Sequence, residues 1–453
     1  MAVRGVGRDG HDYVDDAIRA GASAIILERP DANRREALCI RVRDSRVALA
    51  KLAAAFHDLT NGAAVAMPLI GVTGTNGKTT VTWLLRSILR AASHRPAMIG
   101  TIEYDLIGER RAADMTTPGP LDLCRLLGSS RRAGATHGVL EVSSHALDQH
   151  RCDGLRFSAG VFTNLTGDHL DYHQSMDAYG AAKRRLFGLL PEDAVAVINA
   201  DDAMGGWMAA GSKARVISYG VDASSADLRA QIEMMDRHGS RFVIQSASFK
   251  IEISLSLLGR HNILNALAAA ATASGLGVST NAIRTGIEDL KGVPGRLQRV
   301  EPAGHPFSVV VDYAHTDDAL SNVLRTLRPL TRGRLICVFG CGGDRDRTKR
   351  PRMAKTVEAL ANSALVTSDN PRREKPAAII EDILAGFSSS HGCHVTVEVD
   401  RRRAIELAIH SARPDDTILI AGKGHETYQL VGDQVLPFDD AEVARQCLAE
   451  SVA

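Results

Sequence analysis

Residues 69–80 read LIGVTGTNGKTT, an apolar segment that runs into a glycine-rich loop, and an amphipathic stretch follows at 79–92. This order of strand, loop and helix is typical of a phosphate-binding loop, because glycines let backbone N–H groups approach phosphates and the helix N-terminus adds partial positive charge. Lys78 can bridge β- and γ-phosphates, and Thr79 can bind Mg²⁺. The common motif has glycine where this chain has Val72, so the loop is a variant. The alternative is a glycine-rich turn without a ligand.

Apolar segments alternate with amphipathic stretches along nearly the whole chain, which predicts α/β domains with parallel sheets and crossover helices. Predicted strands cover 24–28, 69–73, 138–142, 159–163, 194–198, 308–312, 334–339, 364–367 and 416–420. Predicted helices cover 79–92, 175–190, 262–274, 316–328, 350–362 and 400–412. Residues 241–257 differ, because they indicate adjacent short strands that form a hairpin inserted in the second domain.

Two breaks divide this 453-residue chain, whose length fits several domains. One lies near 58–67, just before the loop, and the other near 291–299, which is rich in Gly, Pro and Arg. The sequence therefore predicts a small N-terminal domain (1–64), a central nucleotide-binding domain (65–297) and a C-terminal α/β domain (298–453).

The composition is that of an ordinary globular protein, with 45% hydrophobic and 24% charged residues. A net charge of +1 gives no reason to expect nucleic acid or an anionic membrane as a partner. The seven cysteines are scattered without a CxxC pair, which favours a reduced, cytoplasmic protein. The charged N-terminus argues against a signal peptide, and no apolar run reaches membrane-spanning length. We also expect a monomer.

Four further residues are candidates for metal chemistry. Glu141 lies in the predicted strand 138–142, and a carboxylate at the carboxyl end of a parallel strand is well placed to bind Mg²⁺ beside a phosphate loop. Asp168-His169 and Lys183 follow along the chain. Each has an ordinary alternative, a hydrogen-bonded loop histidine or a solvated helical lysine.

TGTNGKTT, with these residues after it in this order, resembles the nucleotide loop of the Mur ligases and of their relatives, the folylpolyglutamate synthetases and cyanophycin synthetase. The resemblance implies a three-domain Mur ligase architecture, with a P-loop-type central parallel sheet and a C-terminal Rossmann-like α/β domain. It also implies ATP and Mg²⁺ as cofactors. The residues that would hold the nucleotide phosphates are Gly74, Thr75, Asn76, Gly77, Lys78, Thr79 and Thr80.

The same resemblance assigns the metal side. In the family pattern the glutamate and the loop threonine bind one Mg²⁺, and these are Glu141 and Thr79 here. A histidine and a carbamylated lysine support the second ion, and these are His169 and Lys183. A lysine ammonium would repel Mg²⁺, whereas its CO₂ adduct is an anionic ligand with two oxygens. Lys78, His169 and Lys183 are therefore the expected catalytic residues.

Two segments resemble the family's acceptor site, which takes UDP-N-acetylmuramoyl-L-alanyl-D-glutamate. They are the TTP segment that begins at Thr116 and EVSSHALDQHR at 141–151. Hydroxyl, amide and guanidinium groups suit diphosphate, sugar and carboxylate groups. Thr116 and Thr117 could also cap the following helix. The expected contacts are Thr116, Thr117, Ser143, Gln149 and Arg151.

The N-terminal region resembles only the second half of the family's UDP-binding domain, whose pattern is a strand, G-x-x-x-D-G and a helix. The strands that precede this pattern are absent, since Met1 lies where family members are already partway through the domain. We therefore expect either a misassigned start or a shortened domain with weaker uridine contacts.

Further nucleotide contacts are implied later in the chain. LLGRHNILNALAAAA (257–271) resembles the adenine-side motif, with Asn262 and Asn265 at matching positions, although helix capping or a buried polar role is the alternative. Arg296 matches a family arginine that reaches the nucleotide phosphates. Asp312 ends a predicted strand in the DYAH segment and is suited to a ribose hydroxyl.

Residues 369–372 read DNPR and match the specificity motif of the family members that add meso-diaminopimelate. Diaminopimelate differs from lysine by a distal carboxylate, which a fixed guanidinium can bind through two hydrogen bonds. The alternative is an Asn-Pro turn with a solvated arginine. The resemblance implies a pocket made of Arg345, Asp369, Asn370, Arg372, Gly422 and Glu426, with Glu426 accepting from the distal ammonium.

The resemblance as a whole implies ATP-dependent ligation of meso-diaminopimelate to the D-glutamate of the UDP-linked acceptor, through an acyl phosphate, in peptidoglycan synthesis. The domains would close around the substrates and exclude water. Alternatives are a lysine-adding ligase, which Arg372 disfavours, and a catalytically inactive nucleotide-binding homologue, which Lys78, Glu141, His169 and Lys183 disfavour. A folylpolyglutamate synthetase would lack the 141–151 and DNPR segments.

Overall fold

The structure, a computed structural model, describes residues 1–5, 7–29, 37–60, 67–300, 304–388 and 392–450. These residues divide into two compact units. The first unit comprises Met1–Gln231, Ile244–Ile251 and Leu264–Asp289, and the second comprises Ile232–Val243, Glu252–Ile263 and Leu290–Ala453. None of the helices in the described ranges combines the length and the apolar character needed to span a bilayer.

The part of the chain before residue 290 alternates strands and helices, as its apolar pattern predicts. Its strands are β1 (Ala24–Leu27), β2 (Leu38–Arg41), β3 (Leu69–Thr73), β4 (Pro96–Ile99), β5 (Glu103–Leu106), β6 (Glu109–Ala112), β7 (His137–Glu141), β8 (Phe157–Phe162), β9 (Val195–Asn199), β10 (Arg215–Gly220), β11 (Leu228–Asp236), β12 (Gly239–Gln245) and β13 (Lys250–Leu255). Its helices are α1 (Val14–Arg19), α2 (Ser45–Phe56), α3 (Lys78–Ala91), α4 (Pro120–Arg132), α5 (Ser144–Asp148), α6 (Leu170–His173), α7 (Met176–Gly188), α8 (Gly205–Ala209), α9 (Arg260–Gly275) and α10 (Thr280–Asp289), and a 3₁₀ turn spans Gly10–Tyr13.

The main sheet of the first unit is built around β3, whose five residues are all buried. Around β3, the strand order of this 11-stranded sheet is β10-β9-β8-β3-β7-β4-β5-β6. The pairs from β10 to β4 are parallel, and β4-β5 and β5-β6 are antiparallel. Because β3 lies between β7 and β8, the carboxyl ends of these three strands meet at one edge, which is where open α/β sheets bind ligands.

The remainder of the chain repeats the alternation. Its strands are β14 (Gln298–Val300), β15 (Ser308–Asp312), β16 (Leu335–Phe339), β17 (Ser363–Val366), β18 (His394–Val397), β19 (Thr417–Ala421), β20 (Tyr428–Val431) and β21 (Gln434–Pro437). Its helices are α11 (Asp317–Leu327), α12 (Lys349–Leu360), α13 (Pro376–Leu384), α14 (Arg401–Ser411) and α15 (Asp440–Glu450), with a 3₁₀ turn at Arg328–Leu330.

The sheet of the second unit has the order β14-β15-β19-β16-β17-β18, parallel except for β14. Successive residues of one strand enter different cores, as the two-residue period of a strand requires. On β16, Cys337 packs in the core shared with α11, α12 and α13, whereas Val338 packs in the core shared with α14 and α15. Burial on both faces explains why these strands read as continuous apolar runs.

Every strand and helix predicted above is confirmed with shifts of at most a few residues. Strands β12 and β13 are neighbours in the sheet, and Ser246 N donates to Phe249 O across their turn, so the predicted hairpin is confirmed. The α/β class is confirmed as well. The proposed domain boundary at 64/65 lies outside the described residues, and the division into three domains at 64 and 297 stays a prediction.

Candidate active site

The loop after β3 has a backbone that only glycine adopts easily at two positions. Gly74 has φ +147° and Gly77 has φ +88°, and a Cβ on Gly74 would lie 1.8 Å from Thr163 Oγ1. Lys78 begins α3, and its Nζ donates to the carbonyl oxygens of Gly74 at 2.9 Å and Thr75 at 2.7 Å. The ammonium is thus held against the loop, beside the helix N-terminus that favours phosphate.

Thr163 and Asn164, which follow β8, hold this loop in place through hydrogen bonds. Asn164 O accepts from Thr75 N at 2.9 Å, and Asn164 Oδ1 accepts from Asn76 N at 3.0 Å. Thr163 Oγ1 donates to Asn76 O at 2.6 Å. Thr80, in the first turn of α3, is buried. The loop is therefore fixed by side chains that the sequence motif alone does not include.

Glu141 ends β7 with its carboxylate buried beside α3. Its Oε2 accepts from Thr79 Oγ1 at 3.0 Å and from Thr101 Oγ1 at 2.9 Å, and its Oε1 accepts from Thr101 N at 2.8 Å. These oxygen donors at the sheet edge fit Mg²⁺, which also takes waters and substrate phosphates as ligands. In the described part of the chain, no group of three or more His, Cys, Asp and Glu side chains could hold a metal.

The five predicted acceptor residues are brought together into one network that reaches Glu141. Thr117 Oγ1 donates to the backbone oxygen of Glu141 at 2.8 Å and accepts from Ser143 N at 3.0 Å. Arg151 Nη1 donates to Thr117 O at 2.7 Å, and its Nη2 donates to Gln149 Oε1 at 2.8 Å.

Thr116 completes the network, since its Oγ1 lies 3.1 Å from Thr101 Oγ1. The alternative that Thr116 or Thr117 caps α4 is wrong, because Gly119 occupies the N-cap position. The side chain and the backbone of Glu141 therefore connect the phosphate loop to the predicted acceptor residues.

Lys183 lies on α7 and is 1% exposed. Its Nζ donates to Gly74 O at 2.8 Å and lies 4.1 Å from the ring centroid of Tyr179. Burial lowers the pKa of Lys183 well below its ordinary value, and the Lys78 cation lowers it further, while Asp168 opposes the shift. A lowered pKa favours the neutral amine, which is the form that can react with CO₂.

His169 precedes α6 with φ +54° and is exposed. Its ring centroid lies 4.9 Å from that of His145 and 6.1 Å from that of Tyr179, and its Nε2 lies 3.6 Å from Asp168 Oδ2. Tyr179 is thus a common neighbour of His169 and Lys183. The predicted metal role of His169 stays a prediction.

In the second unit, Asp312 ends β15 and fixes the chain around it. Its Oδ2 accepts from Leu297 N at 2.7 Å and its Oδ1 accepts from Ala314 N at 2.8 Å. Burial raises the pKa of Asp312, and the Arg296 cation opposes that rise. The guanidinium of Arg296 lies 5.2 Å from the ring centroid of Tyr313. Arg296 and Asp312 are therefore close together, as their predicted roles at one nucleotide require.

Asn262 is buried near the start of α9, and its Nδ2 donates to Leu258 O at 2.8 Å. Asn265 lies one turn further along the helix, next to the phosphate loop, since a Cβ on Gly77 would lie 2.4 Å from Asn265 Oδ1. Both asparagines are thus buried polar residues with identified neighbours, and their contact with a nucleotide stays a prediction.

The DNPR segment follows β17 and is held by the β20–β21 hairpin. Asn370 Oδ1 accepts from Leu430 N at 2.9 Å, and Arg372 N donates to Leu430 O at 3.0 Å. Arg372 has φ +51°, and its O accepts from Gly432 N at 2.7 Å. Its Nη1 donates to Gly343 O at 2.9 Å. A turn follows the motif, where Glu374 N donates to Pro371 O at 3.1 Å, but Arg372 is half-buried and tethered rather than solvated.

The other predicted pocket residues have different degrees of contact with DNPR. Glu426 Oε2 accepts from Asn370 Nδ2 at 2.9 Å, and a Cβ on Gly422 would lie 2.8 Å from Asp369 Oδ2. Arg345 is exposed on the loop before α12. The structure therefore brings five of the six residues together through side-chain or backbone contacts, and it leaves the Arg345 side chain at the surface of the same unit.

Two residues in these groups, the half-buried Thr101 and the fully buried Lys423, escaped the motif-based prediction. Thr101 follows β4 and binds both oxygens of Glu141, and Lys423 lies between Gly422 and Glu426 with no exposed surface. A lone threonine or lysine carries no sequence signal for such a contact. Lys423 could have been noticed only because it lies in the AGKGHE segment, which also contains the predicted pocket residues Gly422 and Glu426.

In this structure, a glycine-rich loop leads into a helix at the carboxyl edge of a parallel sheet, and a buried carboxylate lies at the end of the adjacent strand. These features define a P-loop nucleotide-binding α/β protein. Comparison with known proteins narrows this class. Residues 72–273 match the model of the Mur ligase middle domain, and residues 295–424 match that of the Mur ligase, glutamate ligase domain. The chain belongs to the Mur ligase family, and the prediction of a ligase is confirmed.

Two curated relatives are both named UDP-N-acetylmuramoyl-L-alanyl-D-glutamate--2,6-diaminopimelate ligase. The protein of Geobacter metallireducens is 44% identical over 98% of this chain and 89% of its own length. The protein of Solibacter usitatus is 45% identical over 99% of this chain and 90% of its own length. A solved structure of a ligase with the same name is 34% identical, with a TM-score of 0.72 over 98% of this chain and 90% of that one.

Proposed function

We propose that this ligase joins meso-diaminopimelate to the D-glutamate of UDP-N-acetylmuramoyl-L-alanyl-D-glutamate, with ATP as the energy source, in peptidoglycan synthesis. The observation that carries the proposal is the position of Glu141. Its carboxylate contacts the phosphate-loop residue Thr79, and its backbone oxygen accepts from Thr117 of the acceptor network. One residue thus connects the groups that would bind the phosphoryl donor and the carboxylate that receives it.

In the first step, the γ-phosphoryl group passes from ATP to the γ-carboxylate of the acceptor, which forms an acyl phosphate and ADP. The loop N–H groups and Lys78 bind the phosphates and stabilise the charge that spreads over the transferred group. Lys78 would exchange its present partners, the Gly74 and Thr75 carbonyls, for phosphate oxygens. Thr79 and Glu141 would hold Mg²⁺, which supplies charge neutralisation when bound.

Lys183 has a separate proposed role on the same side. Its buried position and lowered pKa suit reaction of the neutral amine with CO₂, which forms an N–C bond and releases a proton. The resulting carbamate would place an anion beside the loop where the amine was. Such a group offers two oxygens toward a second Mg²⁺, with His169 as the further candidate ligand.

In the second step, an amine of diaminopimelate attacks the acyl carbon, so that an amide forms and inorganic phosphate leaves. Arg372 is proposed to bind the distal carboxylate and Glu426 the distal ammonium of the amino acid. Both side chains are held by hydrogen bonds within the protein: Arg372 Nη1 donates to Gly343 O, and Glu426 Oε2 accepts from Asn370 Nδ2. The reaction depends on ATP and a soluble nucleotide-linked acceptor, so we place it in the cytoplasm, and we expect a monomer.

The test is phosphate release with ATP, Mg²⁺ and the UDP-linked acceptor, with diaminopimelate, lysine or no amino acid added. We expect release that depends on diaminopimelate and is much slower with lysine. Equal use of lysine would support the lysine-adding alternative, and no release with either amino acid would support an inactive homologue.

A further inference from the structure

Lys423 is a fully buried cation within the group of residues proposed to bind the amino acid. Its side chain is 0% exposed. Its Nζ donates to Asn370 Oδ1 at 3.1 Å and to Glu426 Oε2 at 3.3 Å, and it lies 3.7 Å from Asp369 Oδ1. A buried ammonium is stable only where its charge and its N–H groups are matched. All three partners belong to the proposed pocket, and two of them lie in the DNPR segment.

The contacts of Lys423 determine which way the Asn370 amide points. Oδ1 accepts from Lys423 Nζ and from Leu430 N, which uses both of its lone pairs. Nδ2 must then be the atom that faces Glu426 Oε2 at 2.9 Å. The reversed amide is unfavourable, because the NH₂ group of Asn370 would then face two donors, Lys423 Nζ and Leu430 N.

The same ammonium fixes one oxygen of Glu426. Oε2 accepts from Lys423 and Asn370 together, so Oε1 is the oxygen that can accept from an incoming ammonium. Asp369 and Glu426 are both carboxylates of low exposure, 8% and 18% at the side chain, and Lys423 lies against both. The buried Arg401 guanidinium also interacts with both carboxylates, but removal of the Lys423 charge would take away the cation that contacts them directly.

We infer that Lys423 is a positioning residue for amino-acid binding, which sets the orientation of the Asn370 amide and the Glu426 carboxylate without touching the substrate. The inference rests on the proposed function and deepens it. Lys78 and Lys423 would then have different roles. Lys78 would bind phosphate, whereas Lys423 would orient the side chains that recognise the amine substrate.

The experiment is a double-mutant cycle of Lys423→Met and Glu426→Gln in the full-length enzyme, with KM and kcat measured for all three substrates. Methionine keeps the length of the side chain and removes the charge. Removing a residue that orients a binding group typically costs about 10- to 100-fold. We expect Lys423→Met to raise the KM for diaminopimelate by this factor and to leave the KM for ATP and for the UDP-linked acceptor within about twofold.

The effect should be clearly smaller in the Glu426→Gln background, because Lys423 acts in part through Glu426 and coupled residues are not additive. The double variant also keeps the test valid if Lys423→Met alone folds poorly, since it removes one of the two carboxylate charges that face Lys423. Arg334→Met is the matched control: Arg334 pairs with buried Asp416 at 2.7 Å, at the amino end of β16. It should lower the melting temperature without changing any KM.

Three outcomes decide the inference. A KM increase that is confined to diaminopimelate and is clearly smaller in the Glu426→Gln background supports it. Independent, multiplying effects of the two substitutions, or a changed melting temperature with an unchanged KM as in Arg334→Met, overturn it while the proposed function stands. If the wild-type enzyme does not use diaminopimelate at all, the proposed function fails, and the inference fails with it.

Discussion

At the scale of single residues, discrimination between diaminopimelate and lysine depends on how firmly Arg372 is held. Its backbone is fixed on both sides by the hairpin, and its Nη1 donates to Gly343 O. A guanidinium with this tether loses little conformational freedom when it binds a carboxylate. Lysine in the same pocket would leave the guanidinium without its anion, so the pocket penalises the wrong substrate as well as favouring the right one.

We expect Arg372→Ala to lower kcat/KM for diaminopimelate by roughly 30-fold to several thousand-fold, since removing one partner of a buried charge pair costs on the order of 2–5 kcal/mol. Activity with lysine should stay low and change little. Arg372→Lys should rescue only in part, because an ammonium lacks the planar fork. The measurement is the ratio of kcat/KM for the two amino acids, and a ratio that Arg372→Ala does not move would remove Arg372 as the discriminator.

Lys183 offers a second test at this scale. We expect Lys183→Ala to be nearly inactive and added formate or acetate to restore part of the activity, because a small carboxylate can supply the missing anion. Lys183→Arg is the matched control, since it keeps a cation that cannot form the carbamate, and it should stay inactive. Turnover near the wild-type rate in Lys183→Ala would contradict the carbamate hypothesis.

Sequence motifs identified the proposed site residues, but they did not identify all of the residues that contact them. Thr79 and Glu141 could be named from sequence because one lies in a glycine loop and the other at a strand end, and Asn370 could be named because its segment resembles a family motif. Thr101 and Lys423 could not, because their roles come from contacts made 40 and 53 residues away in the chain. Such contacts exist only after the strands have been placed side by side.

At the scale of elements, the fully buried strands β3 and β16 were predictable and the exposed strand β21 was not. β3 and β16 are buried at every position and read as continuous apolar runs. β21 is exposed at all four positions and leaves no hydrophobic pattern, although its hairpin holds the DNPR segment. The parallel core thus followed from hydrophobic periodicity, whereas the hairpin depends on backbone hydrogen bonds that any sequence can make.

The phosphate loop gives the prediction that belongs to elements. Gly74→Ala would place a Cβ 1.8 Å from Thr163 Oγ1 at φ +147°, so β3, its loop and the segment after β8 must separate. We expect a loss of roughly 1–3 kcal/mol in the free energy of unfolding, from backbone strain alone, and loss of nucleotide binding. Urea unfolding and titration with a non-hydrolysable ATP analogue measure the two effects.

The control for that change is Gly119→Ala at the N-cap of α4, where φ is −61° and no atom lies within 4 Å of the added Cβ. It should bind the ATP analogue normally. Normal binding by Gly74→Ala as well would show that the loop does not form the phosphate site.

At the scale of the whole molecule, each compact unit has its own hydrophobic core and its own share of the chemistry. In the first unit, one core packs against the main sheet and a small separate cluster surrounds β1, and in the second unit two cores cover the two faces of the sheet. The predicted acceptor contacts all lie in the first unit, and the predicted diaminopimelate contacts all lie in the second. Separate cores favour separate unfolding transitions, because cooperativity belongs to a shared core.

We therefore expect calorimetry to resolve two transitions, of which the UDP-linked acceptor raises one and diaminopimelate raises the other. A ligand at about 100 times its Kd stabilises the unit that binds it by about 2.7 kcal/mol, and a unit of this size gains about 2–4 °C per kcal/mol. Arg372→Ala should abolish the shift with diaminopimelate and keep the shift with the acceptor. Arg151→Met, which breaks the Arg151–Gln149 contact, should do the reverse. If both ligands raise one and the same transition equally, the assignment of each substrate to its own unit is wrong.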